Sequence, residues 1–359
     1  MSEVSEVRTL TISSSSHDYV VSIGSGALDS YLNAERVFVI ADIRFEKLLK
    51  SLGVSHAVYI NAIEEQKSLV TVEAVMLSLK RMGMTRGDLL TVIGGGITQD
   101  VGTISASLYM RGVKWVYFPT TLLGMADSCI GGKSSINAGE AKNLIGNIYP
   151  PTEVVIDINF ISTLQGLEIN SGLAEAGKIA FCHGTSSFGQ FLELVNGSTE
   201  LVWDDLLFLV LQLKKWFIEI DEFDQKERQL LNFGHTFGHA LETATDFRVP
   251  HGIAVAMGIL AAGLLFDEDV QKESVTTEIA KFMTGLVKSL EDKNSLFNGI
   301  DWEKYASAFK ADKKHGQDCY RVIIPSKNSG VEIYELPKIQ DSVLRIVSAQ
   351  KTAIERVMT

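Results

Sequence analysis

Between residues 19 and 164 short β-rich runs alternate with helical patterns: Val37-Phe38-Val39-Ile40, Leu89-Leu90-Thr91-Val92-Ile93, Trp115-Val116-Tyr117-Phe118 and Val154-Val155-Ile156. A chain that alternates in this way folds into a parallel sheet covered by helices. Residues 69–82 fit one of the intervening helices, with Leu69, Val72, Met76 and Leu79 at helical spacing and polar residues between them. Past Leu164 the pattern changes to long amphipathic segments at 201–220, 228–244, 253–265 and 343–357, relieved only by the apolar run Val322-Ile323-Ile324. The expected fold is an α/β first half followed by a mainly α-helical second half, with domains of 1–165 and 166–359. A chain of 359 residues has room for two, since one core rarely grows past roughly 250–300 residues. The cleft between them is the expected place for a site.

The formal charge of −11 argues against nucleic acid as a partner, because such binding needs basic surface that displaces counterions from phosphates. No apolar stretch approaches the ~20 residues of a membrane span, and MSEVSEVRTL lacks the basic-then-apolar pattern of a signal peptide, so a cytoplasmic protein away from membranes is expected. Cys129, Cys182 and Cys319 show no CxxC spacing and read as reduced thiols.

Gly94-Gly95-Gly96 follows a buried-strand pattern and leads into a helical pattern at 97–111 that begins near Asp100. Glycines at a strand-to-helix turn let backbone amides approach a pyrophosphate, although a plain tight turn gives the same run and the GxGxxG fingerprint is absent. Asp42 closes one strand where a ribose-binding acid would lie, and Pro119-Thr120-Thr121 ends another with two hydroxyls.

In the second half, Asn232-Phe233-Gly234-His235-Thr236-Phe237-Gly238-His239 puts two histidines four apart on one helix face. His251-Gly252 follows a loop containing Pro250, and Glu175 lies in the helical segment Gly172-Leu173-Ala174-Glu175-Ala176-Gly177-Lys178. Imidazoles with a carboxylate suit zinc, and spacing alone selects His235 and His239 as the ligand pair. Lys133, Lys142, Lys178, Lys214, Arg228, Lys313 and Lys314 lie in or near these segments of an otherwise acidic chain. Together they suggest a substrate with more than one anionic group. Arg228, about one turn before Asn232, is expected to share a helix face with the histidines.

These motifs stand in one order: Gly94-Gly95-Gly96 with Asp100 and Gly102, Tyr109-Met110-Arg111-Gly112, Pro119-Thr120-Thr121-Leu122-Leu123, Asp127-Ser128 and Gly131-Gly132-Lys133. They continue through Lys142-Asn143-Leu144-Ile145-Gly146, Ser171-Gly172-Leu173-Ala174-Glu175, the run 231–239, and His251-Gly252. The set resembles the 3-dehydroquinate synthase family of sugar-phosphate cyclases over residues 64–314. The resemblance implies an NAD-binding α/β domain joined to a helical domain, usually as a homodimer.

By resemblance, Glu175, His235 and His251 are the metal ligands, for zinc or cobalt, which replaces the spacing-based pair and turns His239 toward a substrate phosphate. The phosphate is then met by Asn143, Arg228, His239 and one of Lys313 or Lys314, with Arg111 reaching across from a partner subunit. Asp127, Lys133, Lys178, Lys214 and Asn232 hold hydroxyls and a carboxylate. NAD is contacted by Asp42, Glu64, Lys67, the Gly94-Gly95-Gly96 turn, Asp100, Thr120, Thr121 and Lys142. The implied reaction converts 3-deoxy-D-arabino-heptulosonate 7-phosphate to 3-dehydroquinate and phosphate through transient oxidation by NAD, phosphate elimination, re-reduction and aldol closure. An amino-dehydroquinate synthase, a sedoheptulose 7-phosphate cyclase and a glycerol-dehydrogenase-like oxidoreductase are the rival readings. Ala141, Gly177, Asp224, Lys226 and Arg44 depart from the usual family pattern.

Overall fold

The computed structural model describes residues 7–32, 36–139, 141–197, 201–269, 277–326 and 330–359. The chain divides into two compact units, one of Met1–Leu164 with Val202–Glu222 and the other of Gln165–Leu201 with Phe223–Thr359. A single boundary near 165 has no place for the helix Trp203–Ile220, which packs on strands of the first unit.

The first unit is built on strands β1 (Arg8–Ile12), β2 (Tyr19–Gly24), β3 (Phe38–Asp42), β4 (His56–Ile60), β5 (Leu90–Gly94), β6 (Trp115–Pro119), β7 (Lys133–Ala138), β8 (Ala141–Ile148) and β9 (Glu153–Asp157). Seven of them form one sheet in the order β1-β2-β9-β6-β5-β3-β4, parallel throughout except for the β1–β2 hairpin. Every residue of β3, β5 and β6 is buried, which is why these strands read in sequence as unbroken apolar runs rather than as alternation. The helix Leu69–Arg81 is capped by the Ser68 hydroxyl, which accepts from the Thr71 amide. Its buried face carries Val72, Val75 and Leu79, while the expected Leu69 is 49% exposed.

The structure overturns two of these expectations and adds a hairpin. The helix after the glycine turn begins at Gly96, not near Asp100, and ends at Leu108; the chain continues as a 3-10 turn, Tyr109–Arg111, in which Met110 (φ 49°) and Arg111 (φ 67°) are left-handed. The segment expected as one helix over 228–244 is a 3-10 turn, Glu227–Asn232, followed after Gly234 by the helix His235–Ala244. Arg228 therefore shares no helix with the histidines. Finally, Lys133, Lys142 and Asn143 stand on an antiparallel hairpin, β7–β8, which no apolar run announced.

In the second unit the helix His251–Asp269 is central. Residues 252–262 are all buried, because Gly166–His183, His235–Ala244, Thr277–Lys288 and Gln340–Met358 pack around it. An apolar stretch without a polar face is what such a position needs. The run at 322–324 belongs to the hairpin β10 (Cys319–Pro325) and β11 (Val331–Pro337), and β10 also packs on the central helix. Among the described residues no helix is long and apolar enough to cross a membrane.

Candidate functional site

Glu175 and Lys178 lie one turn apart on the helix Gly166–His183, and both are buried. The Lys178 ammonium donates to Glu175 Oε2, leaving Oε1 buried without a hydrogen-bond partner among the described residues. His235 Nε2 stands 3.7 Å from that oxygen and His251 Nε2 3.5 Å. Each ring is turned by its other nitrogen: His235 Nδ1 donates to the Phe233 carbonyl at 3.3 Å, and His251 Nδ1 bonds the Glu242 carboxylate at 3.3 Å. A carbonyl only accepts, so the His235 proton sits on Nδ1 and the Nε2 lone pair faces Glu175; Glu242 imposes the same order on His251.

This arrangement fits a metal ion. Two donors bound to one ion at 2.0–2.2 Å with a tetrahedral angle lie about 3.4 Å apart. Metal-binding imidazoles also commonly donate their second N–H to a carbonyl or carboxylate. His239 joins the cluster, since one ligand nitrogen each of His235, His239 and His251 lie within 4.8 Å of one another. Its ring stacks on His251 at 5.6 Å. Burial, reinforced by the charges of Lys178, His251, His239 and Lys314, pushes His235 well below the usual imidazole range. Burial, then Lys314 and His251, takes His239 down to about 4. For His251 burial acts the same way, but the hydrogen bond and charge of Glu242, with Glu175, outweigh it and raise the group.

Close backbone packing brings these residues together. Gly234 adopts φ 78°, and a Cβ there would meet the Val255 carbonyl at 2.6 Å; a Cβ on Gly252 would lie 2.2 Å from the Ser171 carbonyl. The three helices carrying Glu175, His235 and His251 can therefore approach only with glycine at these positions. Arg228 is buried on its 3-10 turn, and Asn232 donates to the Gln229 carbonyl at 2.9 Å. Of the two lysines, Lys313 is exposed, whereas Lys314 pairs with Asp312 at 3.0 Å and is the one whose charge acts on His235 and His239.

The first unit holds a second cluster. The Lys67 ammonium bridges Asp100 at 2.7 Å and the Asn143 side-chain oxygen at 3.0 Å. Asp100 also accepts from the Ser135 amide at 2.9 Å, yet burial outweighs these partners and raises its pKa. Asn137 donates to Glu64 at 2.9 Å and accepts from the Asn143 amide at 2.9 Å, and Lys142 lies 3.4 Å from Glu64. Glu64, Lys67, Asp100, Lys142 and Asn143 thus form one network; Asn143, read with the phosphate contacts, bonds to residues read with the cofactor.

The turn Gly94-Gly95-Gly96 leads into the helix Gly96–Leu108, whose N-cap, Gly95, offers no side chain to its first amides. A Cβ on Gly95 would meet Thr121 Cγ2 at 2.9 Å. Beside this turn Thr120 Oγ1 is buried with no partner among the described residues, while Thr121 Oγ1 accepts from the Gly124 amide. A polyanion at the helix start, with a hydroxyl acceptor beside it, suits these groups. Asp42 ends β3, adjacent to β5, and pairs with Arg44 at 2.9 Å. Lys214 pairs with Asp127 at 2.7 Å and donates to the Asp127 and Ile130 carbonyls, an arrangement made possible because Trp203–Ile220 packs on the π-helical turn Gly124–Ser128. Lys133 and Arg111 are exposed.

Glu242 and Asn137 are among the participants that escaped the sequence reading. Glu242 follows His235 by seven residues, so the helical face that offered His239 also offered this acid. Asn137 gave no signal, because its role depends on a hairpin that was not read.

Residues 57–171 match the N-terminal and residues 172–315 the C-terminal model of 3-dehydroquinate synthase. A 3-dehydroquinate synthase of Saccharolobus solfataricus is 31% identical over 296 residues, covering 81% of this chain and 84% of the relative. One of Enterococcus faecalis is 32% identical over 353 residues, covering 91% and 96%. Among solved structures, a 2-epi-5-epi-valiolone synthase from Streptomyces hygroscopicus, with NAD+ and Zn2+ bound, aligns with a TM-score of 0.76 at 24% identity, covering 98% of this chain and 99% of that one. Both halves of the family pattern run through the clusters described above, and the chain belongs to the 3-dehydroquinate synthase family.

Proposed function

We propose that the chain is a 3-dehydroquinate synthase, a phosphorus–oxygen lyase that converts 3-deoxy-D-arabino-heptulosonate 7-phosphate to 3-dehydroquinate and phosphate with NAD and a divalent metal, zinc or cobalt. The observation that carries the proposal is the unpartnered Glu175 Oε1 with His235 Nε2 and His251 Nε2 turned toward it. The valiolone synthase that shares the fold holds NAD+ and Zn2+, which supports the same pair of cofactors here. When bound, NAD supplies a reversible hydride acceptor and the metal a Lewis acid for a substrate hydroxyl.

Glu175, His235 and His251 hold the metal, with Lys178 fixing the carboxylate through its other oxygen. His239, neutral at pH 7 with a pKa near 4, approaches the phosphate as a hydrogen-bond donor beside the charges of Arg228 and Lys314. Asp127, Lys133, Lys214 and Asn232 orient the hydroxyls and carboxylate, and positioning, more than any single base, is what these residues contribute. Asp42, Glu64, Lys67, Asp100, Thr120, Thr121 and Lys142 hold NAD around the glycine turn, and Asn143 is assigned to the phosphate. The enzyme is a cytoplasmic homodimer in which Arg111 serves the partner's site; cysteines with no CxxC spacing suit a reducing compartment.

The test is phosphate release from 3-deoxy-D-arabino-heptulosonate 7-phosphate with NAD and zinc, with NADH absorbance followed in the same cuvette. Many turnovers of phosphate without accumulating NADH, abolished by a chelator, are expected. No release at full NAD and metal occupancy would overturn the assignment. Faster turnover of the amino analogue or of sedoheptulose 7-phosphate would move it to a sister cyclase, and steady NADH build-up with a simple polyol to the dehydrogenases.

A further inference from the structure

Asp42 stands at the carboxyl edge of β3, and the register Ala41↔Ile93 brings it level with the glycine turn that ends β5. An acid at this place reads a dinucleotide by accepting from the ribose hydroxyls, and its negative charge repels a phosphate on the 2′ oxygen. Here the acid is already engaged by its own neighbour. Asp42 is 2% exposed; its Oδ1 accepts the Arg44 amide at 3.0 Å, capping the 3-10 turn Ile43–Phe45, and its Oδ2 accepts Arg44 Nε at 2.9 Å. The Arg44 side chain remains 56% exposed, so a guanidinium lies beside the carboxylate at the surface. The next acid, Glu46, is matched by Lys50 at 2.7 Å and adds no unbalanced negative charge.

We propose that Arg44 makes the ribose end of this site accept a 2′-phosphate, so that the chain binds NADP as well as NAD. The inference rests on reading the first unit as dinucleotide-binding. Arg44 neutralises the acid that would exclude the phosphate and supplies a charged donor suited to it. The remaining lone pairs of the Asp42 oxygens still serve the hydroxyls of NAD, so the second cofactor is admitted without loss of the first.

The test is calorimetric titration of the full chain with NAD and with NADP, repeated on Arg44→Ala and Arg44→Lys. The two dissociation constants of the parent protein are expected to lie within about tenfold of each other. Arg44→Ala should weaken NADP by about 10- to 100-fold while leaving NAD within a few-fold, the size of a lost charge-assisted contact. Arg44→Lys, which keeps the charge, should recover part of the NADP binding. NAD binding with no measurable NADP binding in the parent, or an equal loss of both cofactors in Arg44→Ala, would overturn the inference while leaving the proposed function standing. Binding of neither dinucleotide would overturn the inference together with the reading of the first unit.

Discussion

Glu175 divides its oxygens, Oε2 to Lys178 and Oε1 toward His235 and His251, and this division is what suits it to the proposed role of ligand. Glu175→Gln keeps the shape but removes the charge; zinc affinity should fall on the order of 100-fold in a competitive chelator titration. Unchanged affinity would assign the metal to the three histidines alone. The i,i+4 spacing of His235 and His239 was plain in sequence, but spacing records only which side chains share a face. Spacing on one helix does not weigh His239 against His251, because His251 lies on a different helix and all three rings offer a nitrogen to the same cluster. His315 gave no signal at all, yet its Nδ1 accepts the Arg321 amide at 3.1 Å and its Nε2 donates to the Phe309 carbonyl at 2.7 Å, pinning the turn that bears Lys313 and Lys314. Burial pushes this imidazole down against the hydrogen bond to Phe309 and the charge of Asp312. A histidine lowered in the folded state binds fewer protons there than when unfolded, so its contribution is complete above the unfolded value of about 6.5 and is lost as pH falls below it. His315→Gln, which can keep both hydrogen bonds without titrating, should reduce the difference in urea midpoint between pH 7.5 and pH 5.0. An undiminished difference would remove His315 from the pH response.

Helices and strands differ in how much of them the sequence disclosed, for reasons of burial. β3, β5, β6 and β9 were legible because strands covered on both faces need unbroken apolar runs. The hairpin β7–β8 was not, because its residues alternate little and β8 is largely exposed. The helix over 228–244 was misjudged because periodicity continues across Gly234, where a left-handed backbone breaks the helix and close packing on Val255 and Ile259 holds the break. Gly252 shows the same dependence on contact between elements. Its Cβ position lies 2.2 Å from the Ser171 carbonyl, and backbone cannot move aside as a flexible side chain would. Gly252→Ala should therefore cost about 1–3 kcal/mol or more by forcing the helices Gly166–His183 and His251–Asp269 apart. Because Glu175 and His251 ride on those two helices, calorimetry should show a lower unfolding temperature and chelator titration a weaker zinc affinity in the same variant. A lowered temperature with zinc affinity intact would mean that the ligands reassemble without this packing.

At the level of the whole chain, the change of periodicity near residue 165 falls where the first stretch of one compact unit ends, but the return of Trp203–Ile220 to that unit was not legible. An amphipathic helix does not state which sheet it will cover; here it covers β1 and β2 and delivers Lys214 to Asp127. The same limit applies to the proposed dimer. Arg111 is exposed, and with Met110 it forms two successive left-handed residues in the 3-10 turn that follows the helix Gly96–Leu108. Backbone in this region costs energy for residues other than glycine and persists only where the surrounding structure holds it. If Arg111 serves the partner subunit's site, then Arg111→Ala and Glu175→Gln damage different sites of a dimer. Each variant alone should be nearly inactive. Unfolded together and refolded at equal amounts, half the dimers are mixed. Each mixed dimer has one site with Glu175 from one chain and Arg111 from the other, so about a quarter of the parent activity should return. No recovery above the separate variants, with mixed dimers demonstrated by a mass-tagged chain, would place Arg111 in the site of its own subunit.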